Sequence, residues 1–137
     1  MANYGTPSGL YDVFGKANIY EWANMQELEK NDDNYETEIQ RRITAGLTYS
    51  TEDINDLLRY GPFVIPFMIV PPSIERCCYY KTGCWLFEWR RDKDEDDRYT
   101  KMEAKADLII EQIKRGVRLL DPAVYTVAGT RGPGVVL

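Results

Sequence analysis

Hydrophobic side chains recur at intervals of three and four along most of this chain, a spacing that predicts α-helices. The clearest helix is predicted over residues 34–60, where Asp33 and Glu36 resemble a capping box and Gly61-Pro62 marks the end. Its inner stripe consists of Ile39, Ile43, Leu47, Ser50, Ile54, Leu57 and Leu58. The pattern therefore predicts one long helix that buries a single face.

The N-terminal part of the chain predicts two shorter helical segments. Thr6-Pro7 resembles an N-cap followed by proline at the first helical position, and Gly15 stands where that helix would end. A short turn is predicted to follow over residues 18–24. The inward-facing side chains of the two segments are predicted to be Leu10, Val13, Phe14, Ile19 and Trp22.

The second half of the chain predicts two more helices, over residues 72–91 and 94–115. The first is apolar nearly all round, so we expect it to be the central helix. Residues 63–70 predict an extended connection, because the prolines within and around them lack backbone donors. The inner face of the last helix is formed by Tyr99, Met102, Ala106, Ile109, Ile110 and Ile113. The predicted fold class is all-α, a small four-helix bundle over residues 1–121.

The last sixteen residues, 122–137, differ in character from the bundle. A glycine-rich stretch at 129–134 cannot form a helix, and residues 135–137 are apolar. Ordering the backbone costs about 1 to 2 kcal/mol per residue, whereas each large apolar side chain returns about 1.5 to 3 kcal/mol when buried. That balance predicts an extended C-terminal arm that becomes ordered on a partner. A frayed end with no role is the alternative.

Composition narrows the function classes. The chain has 137 residues, which is the size of one domain, a net charge of −5 and no histidine. Histidine is the commonest general base and metal ligand, so its absence favours a structural or binding role and we expect no enzyme. The acidic balance disfavours a dedicated nucleic-acid binder. No apolar run approaches the about 20 residues that a membrane span needs, and the first six residues lack the features of a secretory signal.

No group of residues predicts a cofactor or metal site. The three cysteines lie within residues 77–84, and on a helix Cys77 and Cys84 would be about 10.5 Å apart along the axis, beyond disulfide reach. We therefore expect free thiols, and zinc would need ligands that the chain does not supply. The acidic residues of 27–33 lack the spacing of an EF-hand and predict a solvated loop. Glu103 and Asp107 predict an exposed outer face.

Charge is unevenly distributed along the chain. Residues 1–40 hold eight acidic and two basic side chains, a net charge of −6, whereas residues 41–137 carry a net charge of +1. An acidic front and a mildly basic back would suit head-to-tail packing of identical copies.

A series of short motifs is similar in order and spacing to that of a known family. The motifs are Thr6-Pro7 with Leu10, Phe14-Gly15, Glu38-Ile39, Arg42-Ile43, Ala45, Ile54-Asn55-Asp56-Leu57, Arg59-Tyr60, the proline-bearing residues 61–66, Cys78, Trp85-Leu86-Phe87, Arg90-Arg91, Tyr99, Ile113 and Gly116. Over roughly residues 4–120 the chain resembles the head-tail connector proteins of tailed bacteriophages, also called adaptor or head-completion proteins.

The resemblance implies a non-enzymatic protein of the virion neck, assembled in the host cytoplasm. Its bundle would form a dodecameric ring between the portal protein and a stopper or tail protein. The ring would extend the channel, through which genomic DNA passes without sequence-specific binding. The resemblance also implies that the C-terminal arm contacts the portal, through Tyr125, Val127, Arg131, Val135, Val136 and Leu137.

An acidic channel lining would repel the DNA backbone and let it slide. The candidates for channel-facing residues are Glu27, Glu29, Asp32 and Asp33. The alternative reading is a small cytoplasmic helical regulator that binds a protein partner or DNA. A third possibility, a carboxylate-dependent hydrolase, would need two acidic groups in one cleft with perturbed pKa values.

Overall fold

The computed structural model describes residues 2–88 and 100–126. Their helices are α1 (Pro7–Phe14), α2 (Lys16–Ala23), α3 (Tyr35–Leu58), α4 (Pro72–Glu88) and α5 (Thr100–Lys114), followed by a short 3-10 helix, Pro122–Val124. These residues contain no β-strand, which confirms the predicted all-α class. There are five helices where four were predicted, because the short turn expected after Gly15 is a full helix. The start of the last helix at residue 94 and the side chain of Tyr99 lie outside the described residues.

The first two helices meet at a glycine, as the sequence predicted. Thr6 caps α1 by accepting a hydrogen bond from the Gly9 amide at 3.1 Å. Gly15 has a φ of +88°, a conformation that favours glycine, and it ends α1 where α2 begins. Leu10 and Phe14 are buried, but Val13 is exposed. The prediction for Val13 is therefore wrong: the buried stripe of this short helix follows the spacing of four.

Helix α3 (Tyr35–Leu58) covers most of the predicted range of 34–60, but its N-terminus is capped differently from the prediction. Asn34 precedes it without a side-chain cap, so the predicted capping box is not formed. Asp32 accepts a hydrogen bond from the Asn34 amide instead, and Glu36 accepts one from the Tyr20 hydroxyl. The predicted inner stripe is buried except at Leu57, which is exposed beside the buried Leu58.

Helix α4 is the central element and contacts all four other helices. It runs antiparallel to α3, with Thr82 hydrogen-bonded to Ser50 at 2.8 Å, and antiparallel to α5, with Lys81 bonded to Asp107. All three cysteines lie on α4 as buried free thiols, as predicted. None of the described helices is long and apolar enough to cross a bilayer.

The end of α3, the start of α4 and the end of α5 meet at one end of the bundle. We call residues 59–76 and 115–126, which include the start of α4, the loop end. Phe63 and Phe67 are buried there. Gly116, with a φ of +76°, ends α5 and lets the chain fold back. The opposite end consists of residues 24–36, and the 24 residues of α3 separate the two ends by about 36 Å.

Candidate assembly surfaces

Residues 124–126 are fixed to the loop between α3 and α4. The Val64 amide donates to the Val124 carbonyl at 2.7 Å, and the Thr126 amide donates to the Pro62 carbonyl at 2.8 Å. The ring of Tyr125 lies 5.3 Å from that of Phe63, centre to centre, and its hydroxyl accepts from the Leu120 amide at 3.0 Å. Because of these contacts, the first residues of the predicted arm pack on the bundle.

Tyr125 therefore requires a correction. It was predicted to contact a partner, but only 6% of its surface is exposed and it packs on its own subunit. The proline-rich loop offers a ring to Tyr125 and backbone partners to its neighbours Val124 and Thr126, which the composition of residues 122–137 does not reveal. Any free arm has to begin beyond Thr126. The other predicted arm residues lie outside the described residues: Val127, Arg131, Val135, Val136 and Leu137.

The loop end exposes large apolar side chains. Tyr60 is 96% exposed, Met68 88% and Ile69 76%, and Val117 and Leu119 are also exposed. A groove of about 400 Å³ crosses this surface, and its lining includes Ile69, Val70, Arg76, Leu119, Ala123 and Val124. Of these side chains, Ile69 and Leu119 line the groove, and an exposed apolar groove is typical of an interaction site. The sequence did not reveal it, because helical periodicity gives no orientation for side chains in an extended loop.

The opposite end carries a larger groove between α2 and the start of α3. Its volume is about 910 Å³. Its walls and rim are formed by Lys16, Ala17, Tyr20, Glu21, Asn24, Leu28, Glu29, Lys30, Asp32, Asp33, Tyr35 and Glu36. We call it the acidic groove. The predicted channel-facing residues Glu29, Asp32 and Asp33 line it, whereas Glu27 is exposed but does not line it.

Hydrogen bonds hold one wall of the acidic groove in place. The Tyr20 hydroxyl donates to Glu36 and accepts from Gln40 Nε2 at 3.0 Å. The ammonium group of Lys16 lies over the same ring, 5.3 Å from its centre. Burial, and then the hydrogen bond to Glu36, raise the pKa of Tyr20 above its ordinary value. The wall is thus an ordered aromatic surface with its polar groups satisfied.

A buried lysine joins the three long helices. Lys81 on α4 is 2% exposed, and its Nζ lies 2.8 Å from both Asp53 Oδ2 on α3 and Asp107 Oδ1 on α5. Glu103 Oε1 is 3.6 Å away. Burial alone would lower the pKa of Lys81, but the bonds to Asp107 and Asp53 outweigh it and raise that pKa. Asp107 is exposed, as predicted, and Glu103 is partly exposed, but the sequence did not indicate that both pair with Lys81.

Close to Lys81 lies a group of three possible metal donors. Cys84 Sγ is 3.5 Å from Glu88 Oε1 and 3.5 Å from Glu103 Oε2. Burial and the two carboxylates raise the pKa of the Cys84 thiol well above its ordinary value. The ammonium group of Lys81 lies 3.6 Å from Glu103 Oε1 and already supplies a positive charge to this group of side chains. We therefore assign this group to the buried ion-pair cluster.

The chain has no match among protein-family models, among curated proteins or among solved structures.

Proposed function

We propose that this chain is a head-tail connector protein of a tailed bacteriophage. In this proposal it is a non-enzymatic virion protein that forms a dodecameric ring in the neck, between the portal protein and a stopper or tail protein. The ring extends the channel for genomic DNA, and an extended C-terminal arm attaches each subunit to the portal. The motif order described above supports the proposal, as does a helical fold with two exposed ends suited to contacts.

The observation that carries the proposal is the anchoring of the chain at the loop end. The hydrogen bond from Thr126 to Pro62, together with the packing of Tyr125 on Phe63, fixes the point from which residues 127–137 continue. A defined exit point beside exposed apolar surface is what an assembly arm requires, because it limits the volume that the arm must search. In the revised proposal the arm begins beyond Thr126 and Tyr125 serves as its anchor.

The proposal is tested by co-sedimentation with the portal complex of the same phage. We expect the full chain to bind and a chain truncated after Thr126 to keep its thermal unfolding midpoint while losing most of its binding. A control of unchanged length replaces residues 127–137 with glycine and serine, and it should also fail to bind. Equal binding by all three chains would contradict the arm, and no binding by the full chain would contradict the connector role.

A further inference from the structure

We propose that copies of this chain associate head to tail, with the loop end of one copy seated on the acidic groove of the next. The inference rests on the ring proposed above and names the contact between its subunits. It assigns Glu29, Asp32 and Asp33 to that contact rather than to the DNA channel. The occupant of the acidic groove is thus a second copy of this chain.

The acidic groove holds carboxylates that the described part of the chain leaves without an ion pair. Glu29, Asp32 and Asp33 are exposed and line the groove. Asp32 accepts a hydrogen bond from the Asn34 amide, and none of the three forms an ion pair within the described residues. The groove lining holds five carboxylates and two lysines, Lys16 and Lys30, so its net charge is negative. Nearby Glu38 differs, because it pairs with Arg41 within α3. The groove therefore presents negative charge to a partner.

The loop end offers the complementary charge. Arg76 is exposed, lines the groove there and has no ion pair among residues 2–88 and 100–126. The exposed Asp121 lines the same groove, where it accepts a hydrogen bond from the Ala123 amide. The nearby Arg118 donates to the neutral Gln112. Other exposed arginines are already paired within their helical segments, Arg59 with Asp56 and Arg115 with Glu111. Arg76 is thus the loop-end cation best placed to meet carboxylates of another molecule.

Apolar surface on both sides adds to the charge complementarity. The loop end exposes Met68 and Ile69, and the acidic groove has Leu28, Tyr20 and Tyr35 in its walls, all partly buried. An apolar centre with a charged rim is the usual anatomy of a protein interface. The ordered Tyr20 wall lowers the entropic cost of binding, because it needs no rearrangement.

One copy cannot bring its own two surfaces together. They lie at opposite ends of α3, about 36 Å apart. A contact between unlike ends leaves one end of each molecule open, so it propagates and closes into a ring when the rotation between copies allows. The charge pattern therefore fits a repeating assembly better than a symmetric dimer.

The test uses two charge reversals with matched controls. Arg76→Glu alters the loop end and Asp33→Lys alters the acidic groove. Lys105→Glu and Asp12→Lys make the same changes of charge at exposed positions that line neither groove. Sedimentation velocity of the full chain at low salt, over a range of concentrations, gives the association constant.

We expect the unaltered chain and both controls to associate, less strongly as salt is added. Each reversal should lower the association constant at least about tenfold, because it sets like charges against each other. An equimolar mixture of the two reversed chains should recover association, since each then meets an opposite charge. Monomer at every concentration, reversals that behave like their controls, or a mixture that stays monomeric would each overturn the inference.

The same variants separate this inference from the proposed function. Reversed chains that still form rings on the portal complex would overturn the interface while leaving the connector role intact, and Asp33 would return to the candidates for the channel. Chains that associate as described but never bind the portal would leave the interface intact and contradict the connector role.

Discussion

Lys81 is the residue on which the arrangement of the three long helices depends most. Its ammonium group is withdrawn from water and held by Asp53 and Asp107, with Glu103 slightly farther away. Buried charges are stable only when they are paired and hydrogen-bonded. The pairs cross from α4 to α3 and to α5, so Lys81 also links α3 with α5, which share few direct contacts.

We predict that Lys81→Met destabilises the protein by about 1 to 3 kcal/mol, because three carboxylates then face one another without a cation. The carboxylates are partly exposed, which keeps the loss below that of a fully buried pair. Urea unfolding measures the change, with Lys105→Met as the control at an exposed position. Equal stability of the two variants would contradict the role given to Lys81.

The buried thiols of α4 make stability depend on pH. Burial raises the pKa of Cys77 to about 12. Burial is also the largest cause of the raised pKa of Cys78, which is about 11. Above a pH of about 8.5 the thiols of the unfolded chain lose their protons, whereas those of the folded chain keep them. The unfolded state then binds fewer protons, so the free energy of unfolding must fall as pH rises.

We predict a fall of up to about 1.4 kcal/mol per pH unit for each such thiol between pH 8.5 and 9.5. Urea unfolding at several pH values measures it, and a variant with Cys77→Ala and Cys78→Ala should show a smaller slope. Identical slopes for the two chains would mean that these thiols ionise as readily in the folded protein as in the unfolded chain, and would contradict the prediction.

At the scale of elements, the sequence predicted best the features that depend on residues close together in the chain. Thr6 and Gly15 bound α1, and the stripe of α3 is buried almost as expected, because caps and periodicity act within a single helix. The features that the sequence did not predict depend on contacts between different elements. Glu36 bonds to Tyr20 instead of closing a capping box, and Tyr125 finds Phe63, which lies far away in sequence.

The loop between α3 and α4 depends on one tyrosine. The Tyr4 hydroxyl donates to Asn55 on α3 and accepts from the Phe67 amide at 2.9 Å. We predict that Tyr4→Phe lowers the free energy of unfolding by about 1 to 3 kcal/mol, because the buried Phe67 amide loses its acceptor. The Phe67 amide should also exchange its hydrogen faster. Tyr60→Phe, at an exposed position, is the control, and no difference between the two variants would contradict this account of the loop.

At the scale of the whole molecule, the charge asymmetry of the sequence becomes a difference between two ends. The sequence predicted that identical copies would pack acidic front to basic back. The sequence could not indicate which charged side chains are available for that contact. Arg59 and Arg76 look alike in the sequence, but Arg59 pairs with Asp56, whereas Arg76 borders an apolar groove.

The candidate site was predictable only in part for the same reason. Three of the four acidic residues singled out from sequence line the groove, whereas Glu27, on the same connection, does not. The exposed Met68 and Ile69 were not expected, since their orientation depends on how Phe63 and Phe67 are buried.

The most direct test of the connector role is electron microscopy of the purified full chain mixed with the portal complex of the same phage. The account predicts a closed ring of subunits stacked coaxially on the portal, with a central opening wide enough for duplex DNA. A portal complex with no added density, or subunits attached without forming a ring around the channel, would contradict it.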